Sequence, residues 1–358
     1  MTRKTRVLVM VAVLVVGVAG FIGYSSYKNN EANTVDHLAT ALIEQDQAAV
    51  KRYMPRYSNK KKISARALAM YQKQMKKMKK KQVVALLQKE ENFTIKEGAS
   101  IFKPAQIYPN PRFFTIELPK GTELRAKLQA SDFSGAYEEK WNKYTFGPLI
   151  PGSYSLTYDI AHPKFGSKSM KDTVNLQAAD QRFTVKETSL YEGNEAFQKH
   201  LLASAVNHFN SFNDAVRSGL NVSKLAASKN YKEELQKGFN QLKPYMESFD
   251  QEFQTIKIDC DSISVNTAQT KVQLDLYVDI KRSMKLIKEI GIDEALISDK
   301  QNAITSFVYD EDQKKWLIDD MDFETYQQDP ETWEHVQSYR EKQAKKAHWD
   351  KNSNGEVV

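Results

Sequence analysis

The side chains that most often carry chemistry are few and scattered in this sequence. Its closest pair of histidines, His200 and His208, is eight residues apart, about 12 Å along a helix, which is too far to share a metal ion. Neither the G-x-S-x-G motif nor the H-E-x-x-H motif occurs. We therefore predict no catalytic residue, no metal site and no cofactor.

The single cysteine, Cys260, excludes a disulfide within the chain and any cysteine-based zinc site. It shares strand phasing with Ile256 and Ile258, so we predict a small buried hydrophobe and not a reactive thiol. An exported protein without disulfides is more typical of a bacterial envelope than of a eukaryotic cell surface.

The strongest charge signal is the run QKQMKKMKKKQ, because every charged residue between Lys51 and Lys89 is basic. Acidic residues normally alternate with lysines on a solvated helix face. We therefore predict a polyanion-docking face made by Lys73, Lys76, Lys77, Lys79, Lys80 and Lys81, with a plain solvated face as the alternative. The expected partners are anionic cell-wall polymers, an anionic lipid surface or other envelope proteins, and not nucleic acid.

A basic start followed by an apolar segment places this run near a membrane. Three cations precede the uncharged stretch of residues 7–24, which is long enough as a helix to nearly span a bilayer core. We predict a transmembrane signal anchor, with residues 1–6 in the cytoplasm and the bulk of the chain extracellular. Cleavage after the small residues Val18, Ala19 and Gly20 is the alternative, and the mature chain would then begin at Phe21.

The rest of the chain has the pattern of a multidomain α+β protein. Helical spacing over 34–54 and 64–90 predicts a helical hairpin within a basic domain, residues 31–91. Short alternating runs with many prolines predict a small β-sandwich over residues 92–187. In its clearest strand, Tyr154, Leu156, Tyr158 and Ile160 alternate with polar neighbours.

Helices followed by strands predict an NTF2-like α+β cone over residues 192–324. The helices are expected over 196–216 and 231–253, and alternation from Val272 to Ile280 predicts a core strand. A phase change after Cys260 indicates a bulge, and a hairpin turn is expected at Glu311–Gln313. Residues 329–358 are predicted to be a helix, from Pro330 to about Trp349, and a tail.

Such cones often contain a pocket between sheet and helices. Residues that could line one here are His208, Asp214, Tyr245, Asp275 and Tyr277. Catalysis would need acid and base groups within hydrogen-bonding distance, and sequence spacing does not bring these residues together. Core packing, especially for His208 in its apolar stripe, and plain surface are the alternatives.

Three segments carry a resemblance to a known family. They are TVDHLATALIEQDQAAVKRYM after the apolar stretch, FGPLIPGSYSL, and the unit from about Ala196 to Phe323. The organisation resembles the TcaA family of Gram-positive bacteria, the teicoplanin-resistance-associated membrane proteins, with the related YvbJ-type proteins. Members commonly begin with a zinc ribbon of two C-x-x-C pairs, whereas only MTRKTR precedes the apolar stretch here; we therefore expect no zinc-linked cytoplasmic sensing.

The resemblance implies a non-enzymatic envelope protein that affects sensitivity to wall-directed, glycopeptide antibiotics. Our leading hypothesis is accordingly a membrane-anchored extracellular protein that binds a wall component or a partner protein. The alternative is an enzyme that uses the NTF2-like pocket on wall or lipid-linked substrates. A receptor-like sensor is a third hypothesis, disfavoured by the minimal cytoplasmic tail.

Overall fold

The computed structural model describes residues 30–97, 103–291, 295–298, 301–324 and 328–352. The predicted cytoplasmic tail and apolar anchor, residues 1–6 and 7–24, lie outside these ranges. Among the described residues, no helix has the length and apolar character needed to cross a membrane. Two compact units divide the chain: the first contains the residues up to Ile160 and Ser169–Lys186, and the second contains Ala161–Lys168 and the residues from Glu187 onward.

The first unit begins with four short helices where two long ones were predicted. They are α1 Glu31–Glu44, α2 Gln47–Tyr53, α3 Ala65–Met75 and α4 Lys80–Leu87. The break in the first predicted helix has a local cause. Gln45 adopts a left-handed conformation with φ 62°, and the Asp46 carboxylate accepts hydrogen bonds from the amides of Ala48 and Ala49, which starts a new helix.

The predicted cap at Ser64 is confirmed, because its hydroxyl accepts a hydrogen bond from the amide of Ala67. The apolar face of these helices is buried, as their spacing indicated. Its fully buried members include Leu38, Leu42, Val50, Leu68, Tyr71, Met75, Val83 and Leu87.

Strands replace helices after residue 92, as predicted. They are β1 Phe93–Lys96, β2 Gln106–Pro109, β3 Arg112–Glu117, β4 Glu123–Leu128, β5 Ser131–Asp132, β6 Ala136–Glu138, β7 Lys143–Leu149, β8 Ser153–His162, β9 Gly166–Asn175 and β10 Gln181–Thr184. β1 pairs with β2, and the others form two four-stranded sheets with orders β10-β3-β7-β6 and β5-β4-β8-β9. The predicted alternation in β8 is confirmed, since Tyr154, Leu156, Tyr158 and Ile160 are all buried.

The second unit places two helices against one antiparallel sheet. The helices are α5 Glu195–Arg217 and α6 Lys229–Leu242. The strands are β11 Met246–Asp259, β12 Ser264–Val265, β13 Lys271–Leu286, β14 Leu296–Ser298, β15 Asn302–Asp310, β16 Lys315–Phe323 and β17 Val336–Asp350. The sheet order is β16-β15-β13-β11-β17, with β12 and β14 added to β13, and α5 packs across β11, β16 and β17.

One predicted helix of this unit is shorter than expected, and another does not form. The helix predicted over 231–253 ends at Leu242, because Pro244 lies in a single 3-10 turn that leads into β11. The C-terminal helix predicted from Pro330 to about Trp349 is instead β17, which pairs antiparallel with β11. Pro330 heads only one 3-10 turn, and long-range pairing overrides the local helical spacing.

The phase change after Cys260 also has a different origin from the one predicted. It marks a turn between β11 and β12, where the Ser262 hydroxyl accepts a hydrogen bond from the amide of Asp275. The shift in register within β11 lies earlier, between Phe253 and Ile256. The predicted turn at Glu311–Gln313 is confirmed, and the Asp310 carboxylate accepts hydrogen bonds from two amides of that turn.

We expect Gly147→Ala to lower the free energy of unfolding by about 2 kcal/mol or more. Gly147 has φ 134°, and an added Cβ would lie 2.8 Å from the carbonyl oxygen of Arg112. The matched control is Gly238→Ala in α6, where a Cβ meets no atom within 4 Å; helix propensity there should raise stability by about 0.5–1 kcal/mol. Denaturant titrations followed by circular dichroism measure both changes, and a neutral Gly147→Ala would contradict this account.

Candidate functional site

The six predicted lysines lie in the first unit, and we call Lys73, Lys76, Lys77, Lys79, Lys80 and Lys81 the lysine surface. All six are exposed. They do not share one helix, contrary to prediction: Lys73 is on α3, Lys76 is its C-cap, Lys79 precedes α4, and Lys80 and Lys81 begin α4. A tight turn, in which the amide of Met78 donates to the carbonyl of Met75, separates the two helices.

Two members of the lysine surface have partners within the chain. The ammonium of Lys80 lies 2.7 Å from the Asp36 carboxylate, and that of Lys73 donates to the carbonyl of Gln129 at 3.1 Å. Among the described residues, Lys76, Lys77, Lys79 and Lys81 form no ion pair. These four charges are therefore available to an anion from outside.

The start of α4 adds to the positive potential of this region. Its first turn contains Lys80 and Lys81 and no acidic residue, although the positive end of the helix dipole disfavours cations there. The unpaired lysines nearby repel one another as well. A bound polyanion would reduce both repulsions.

The predicted pocket of the second unit does not form from the five residues proposed for it. Only His208 is in the interior. Asp214 is exposed and pairs with Arg217, and Tyr245 is 53% exposed. Asp275 and Tyr277 are only half-buried, because they occupy the opposite phase of β13 from its buried side chains.

His208 is a core histidine, which was the alternative weighed from its apolar stripe. It is 1% exposed, and its Nδ1 lies 3.3 Å from the carbonyl oxygen of Ala226. Its ring packs near those of Phe209, Phe212 and Tyr231. Burial lowers the pKa of His208 to about 4, so the ring is neutral at pH 7 and donates from Nδ1.

Arg282 is a half-buried residue of this unit that we did not predict. It continues the buried phase of β13 one step beyond Ile280, and extending that alternation would have found it. Its Nε donates to the Gln251 side-chain oxygen at 2.8 Å, and Gln251 donates in turn to the Asn213 side-chain oxygen at 2.8 Å. We call Asn213, Gln251 and Arg282 the Arg282 cluster.

Aromatic rings surround the Arg282 guanidinium. Its central carbon lies 5.2 Å from the ring centre of Phe212 and 5.0 Å from that of Phe323, distances typical of cation–π contacts. Burial lowers the pKa of Arg282 from its usual value, yet an arginine remains charged at neutral pH. No carboxylate among the described residues pairs with it.

Other reactive groups of this unit lie near the end of β11. Cys260 is half-buried, and burial raises the pKa of its thiol to about 11, so it is protonated at pH 7 and weakly nucleophilic. Asp261, Glu334 and His335 bring possible ligand atoms within 4.8 Å of one another, but all three are exposed. Exposed groups of this kind are common without a metal, and we assign none to them.

Comparison with known proteins matches part of the second unit to a family. Residues 201–322 match the family model described as the YvbJ NTF2-like domain. No curated protein matches the chain. Among solved structures, the intermembrane space region of chloroplast protein ARC6 is similar over 34% of this chain and 94% of its own length, with 8% identity and a TM-score of 0.26. A TM-score this low does not establish a shared fold. Residues 201–322 therefore form an NTF2-like domain of the YvbJ type, consistent with a YvbJ/TcaA-type family.

Proposed function

We propose that this chain is a non-enzymatic, membrane-anchored extracellular protein of the bacterial envelope, whose lysine surface binds a phosphate-bearing polyanion. The observation that carries the proposal is a set of exposed lysines that form no ion pair with the residues described by the structure, namely Lys76, Lys77, Lys79 and Lys81. They lie in a segment of the sequence, from Lys51 to Lys89, that has no acidic residue to neutralise them.

The size of the effect follows from simple electrostatics. Near an anionic surface each lysine contributes about 1 kcal/mol, and the attraction decays over about 8 Å at physiological salt. Four lysines therefore contribute about 4 kcal/mol together, an attraction that weakens as salt is added. Wall teichoic acid and the headgroups of anionic lipids present the same phosphodiester chemistry, and both are within reach of an anchored protein.

A non-enzymatic role is favoured by what the interior of the NTF2-like domain contains. Acid–base catalysis needs titratable groups within hydrogen-bonding distance of one another or of a substrate. His208 instead bonds to a backbone carbonyl, and Arg282 bonds to a neutral amide. The link to glycopeptide sensitivity rests on the family resemblance, and the anchor rests on the sequence of residues 7–24.

The lysine surface can be tested by charge removal in the full chain, purified in a neutral detergent. We expect the variant Lys76→Gln, Lys77→Gln, Lys79→Gln, Lys81→Gln to bind purified wall teichoic acid at least about tenfold more weakly than the wild type, by isothermal titration calorimetry. Glutamine is a good helix former and should leave the fold intact. The wild-type affinity should fall steeply with added salt.

The matched control removes four exposed lysines from other places, Lys171, Lys186, Lys224 and Lys288, and so changes the net charge equally. A second arm uses nanodiscs of phosphatidylcholine with and without phosphatidylglycerol: weaker teichoic acid binding in the anionic discs would mean that lipid occupies the same lysines. Equal losses in the two quadruple variants would reduce the effect to net charge, and absence of binding at low salt would leave only a solvated surface.

A further inference from the structure

The Arg282 guanidinium has hydrogen-bonding capacity that the described part of the chain does not use. Its Nε is occupied by Gln251. Its two terminal nitrogens, with four N–H groups, have no acceptor among the described residues. Arg282 is half-buried, so these donors lie within the domain and still reach solvent.

Among the residues that the structure describes, no acidic side chain compensates the charge of Arg282 either. The acidic residues on either side of its partner Gln251 in β11 are engaged elsewhere: Asp250 pairs with His348, and Glu252 pairs with Lys346. Tyr231 and His208, the titratable groups on α6 and α5 that face it, are both neutral at pH 7. A charge held inside a protein without a counterion is costly, and an incoming anion offsets that cost.

The surroundings orient the guanidinium before any ligand arrives. Gln251 and Asn213 are both buried, and Asn213 is itself anchored because its amide donates to the carbonyl of Lys345 at 3.2 Å. The chain of hydrogen bonds from that carbonyl to Nε fixes the plane of the guanidinium. A planar, pre-oriented fork of N–H groups matches a carboxylate, which accepts two parallel hydrogen bonds.

We propose that the Arg282 cluster is a binding site for a small organic carboxylate with a short apolar body, held by the terminal nitrogens of Arg282 between Phe212 and Phe323. One guanidinium neutralises one negative charge, so a monoanion is favoured over a phosphate monoester, whose second charge would remain unpaired. The half-buried ring of Phe323 supplies contact for the apolar body. This site is separate from the lysine surface in residues and in ligand.

The test compares an acid with its neutral isostere on the full chain in neutral detergent. We expect hexanoate to raise the melting temperature of the NTF2-like domain by about 2 °C or more at saturation. Hexanamide has the same apolar body without the charge, and it should raise the melting temperature by less than a quarter of that shift. Tryptophan fluorescence is a suitable signal, since Trp316 and Trp349 are buried in this unit.

Variants then assign the effect to Arg282. Arg282→Met should abolish the shift with hexanoate, and Arg282→Lys should weaken it, because an ammonium cannot form the planar pair of bonds. Gln251→Glu should abolish it too, since an internal carboxylate would occupy the guanidinium. The control Arg340→Met removes an exposed arginine from β17 and should leave the shift unchanged.

The proposal is wrong if hexanoate and hexanamide shift the wild type equally, or if Arg282→Met responds as the wild type does. Should Arg282→Met fail to fold, the acid–amide difference on the wild type and the response of Gln251→Glu still decide the question. Retention of the hexanoate shift in Gln251→Glu would then mean that Arg282 serves only as an internal cation–π contact.

Discussion

Asn194→Asp should lower the free energy of unfolding of the second unit by about 3 kcal/mol. Asn194 is buried at the start of α5, where its oxygen accepts hydrogen bonds from the amides of Ala196 and Phe197. Its side-chain nitrogen donates to the carbonyls of Phe165 and Leu190 at 2.9 and 2.7 Å. Aspartate keeps the cap but places a charged oxygen against two carbonyl oxygens, and both carbonyls then lack a donor.

Denaturant titration with tryptophan fluorescence measures this change, because Trp316 packs near Phe165 and Phe197. The control Asp46→Asn makes the reverse exchange at the exposed cap of α2 and should alter stability by less than about 0.5 kcal/mol. A loss below about 1 kcal/mol in Asn194→Asp would show that capping, and not donation to the two carbonyls, is what Asn194 contributes.

Acidification should destabilise the same unit through His208. Its pKa is lowered to about 4 in the folded state, below the usual value of about 6.5 in an unfolded chain. The unfolded state therefore binds more protons between these values, and stability falls as the pH drops. The contribution is complete above about pH 6.5 and has lost about 3 kcal/mol by pH 4.

Stability measured from pH 7 to pH 4 in the wild type and in His208→Asn tests this effect. Asparagine can keep the donor to the carbonyl of Ala226 but does not titrate, so its curve should be flatter by about 3 kcal/mol over that range. His335 and His348 act in the opposite direction, because neighbouring aspartates raise their pKa values; the difference between the two curves cancels them. Parallel curves would refute the role given to His208.

Local sequence patterns predicted which helices and strands form better than they predicted where those elements end. Alternation correctly placed β8 and β13, and apolar spacing found the buried faces of the first helices. The predicted helices are interrupted at Gln45 and at Lys77–Met78, where the sequence has neither glycine nor proline. The sequence therefore contained no helix-breaking residue that could have predicted these interruptions. They arise from caps and turns whose energies, about 1 kcal/mol each, are as large as the propensities that would continue the helix.

The residues of the interior were harder to predict because their positions depend on pairing between distant strands. Trp333, Val336 and Tyr339 have helical spacing, but their segment forms β17 because its backbone pairs along the edge of β11. Gln251 and Asn213 are buried polar residues with no distinctive motif, and only the pairing of Gln251 with Arg282 across β11 and β13 brings them together. Arg282 alone carried a signal in the sequence, in the continued phase of its strand.

The outer edge of β17 has a consequence for association between copies of the chain. An edge strand with open backbone groups can recruit strands from other molecules and seed aggregation. Here, between the pairs Thr255–Arg340 and Phe253–Lys345, the register skips four residues of β17 and only one of β11, so the edge is kinked. Four cationic residues lie at or beside this kink: Arg340, Lys342, Lys345 and Lys346.

The opposite edge of the sheet, at β16, is partly closed by a backbone bridge between Ala227 and Ile318. Irregularity and charge thus protect the sheet from continuing into a neighbouring molecule.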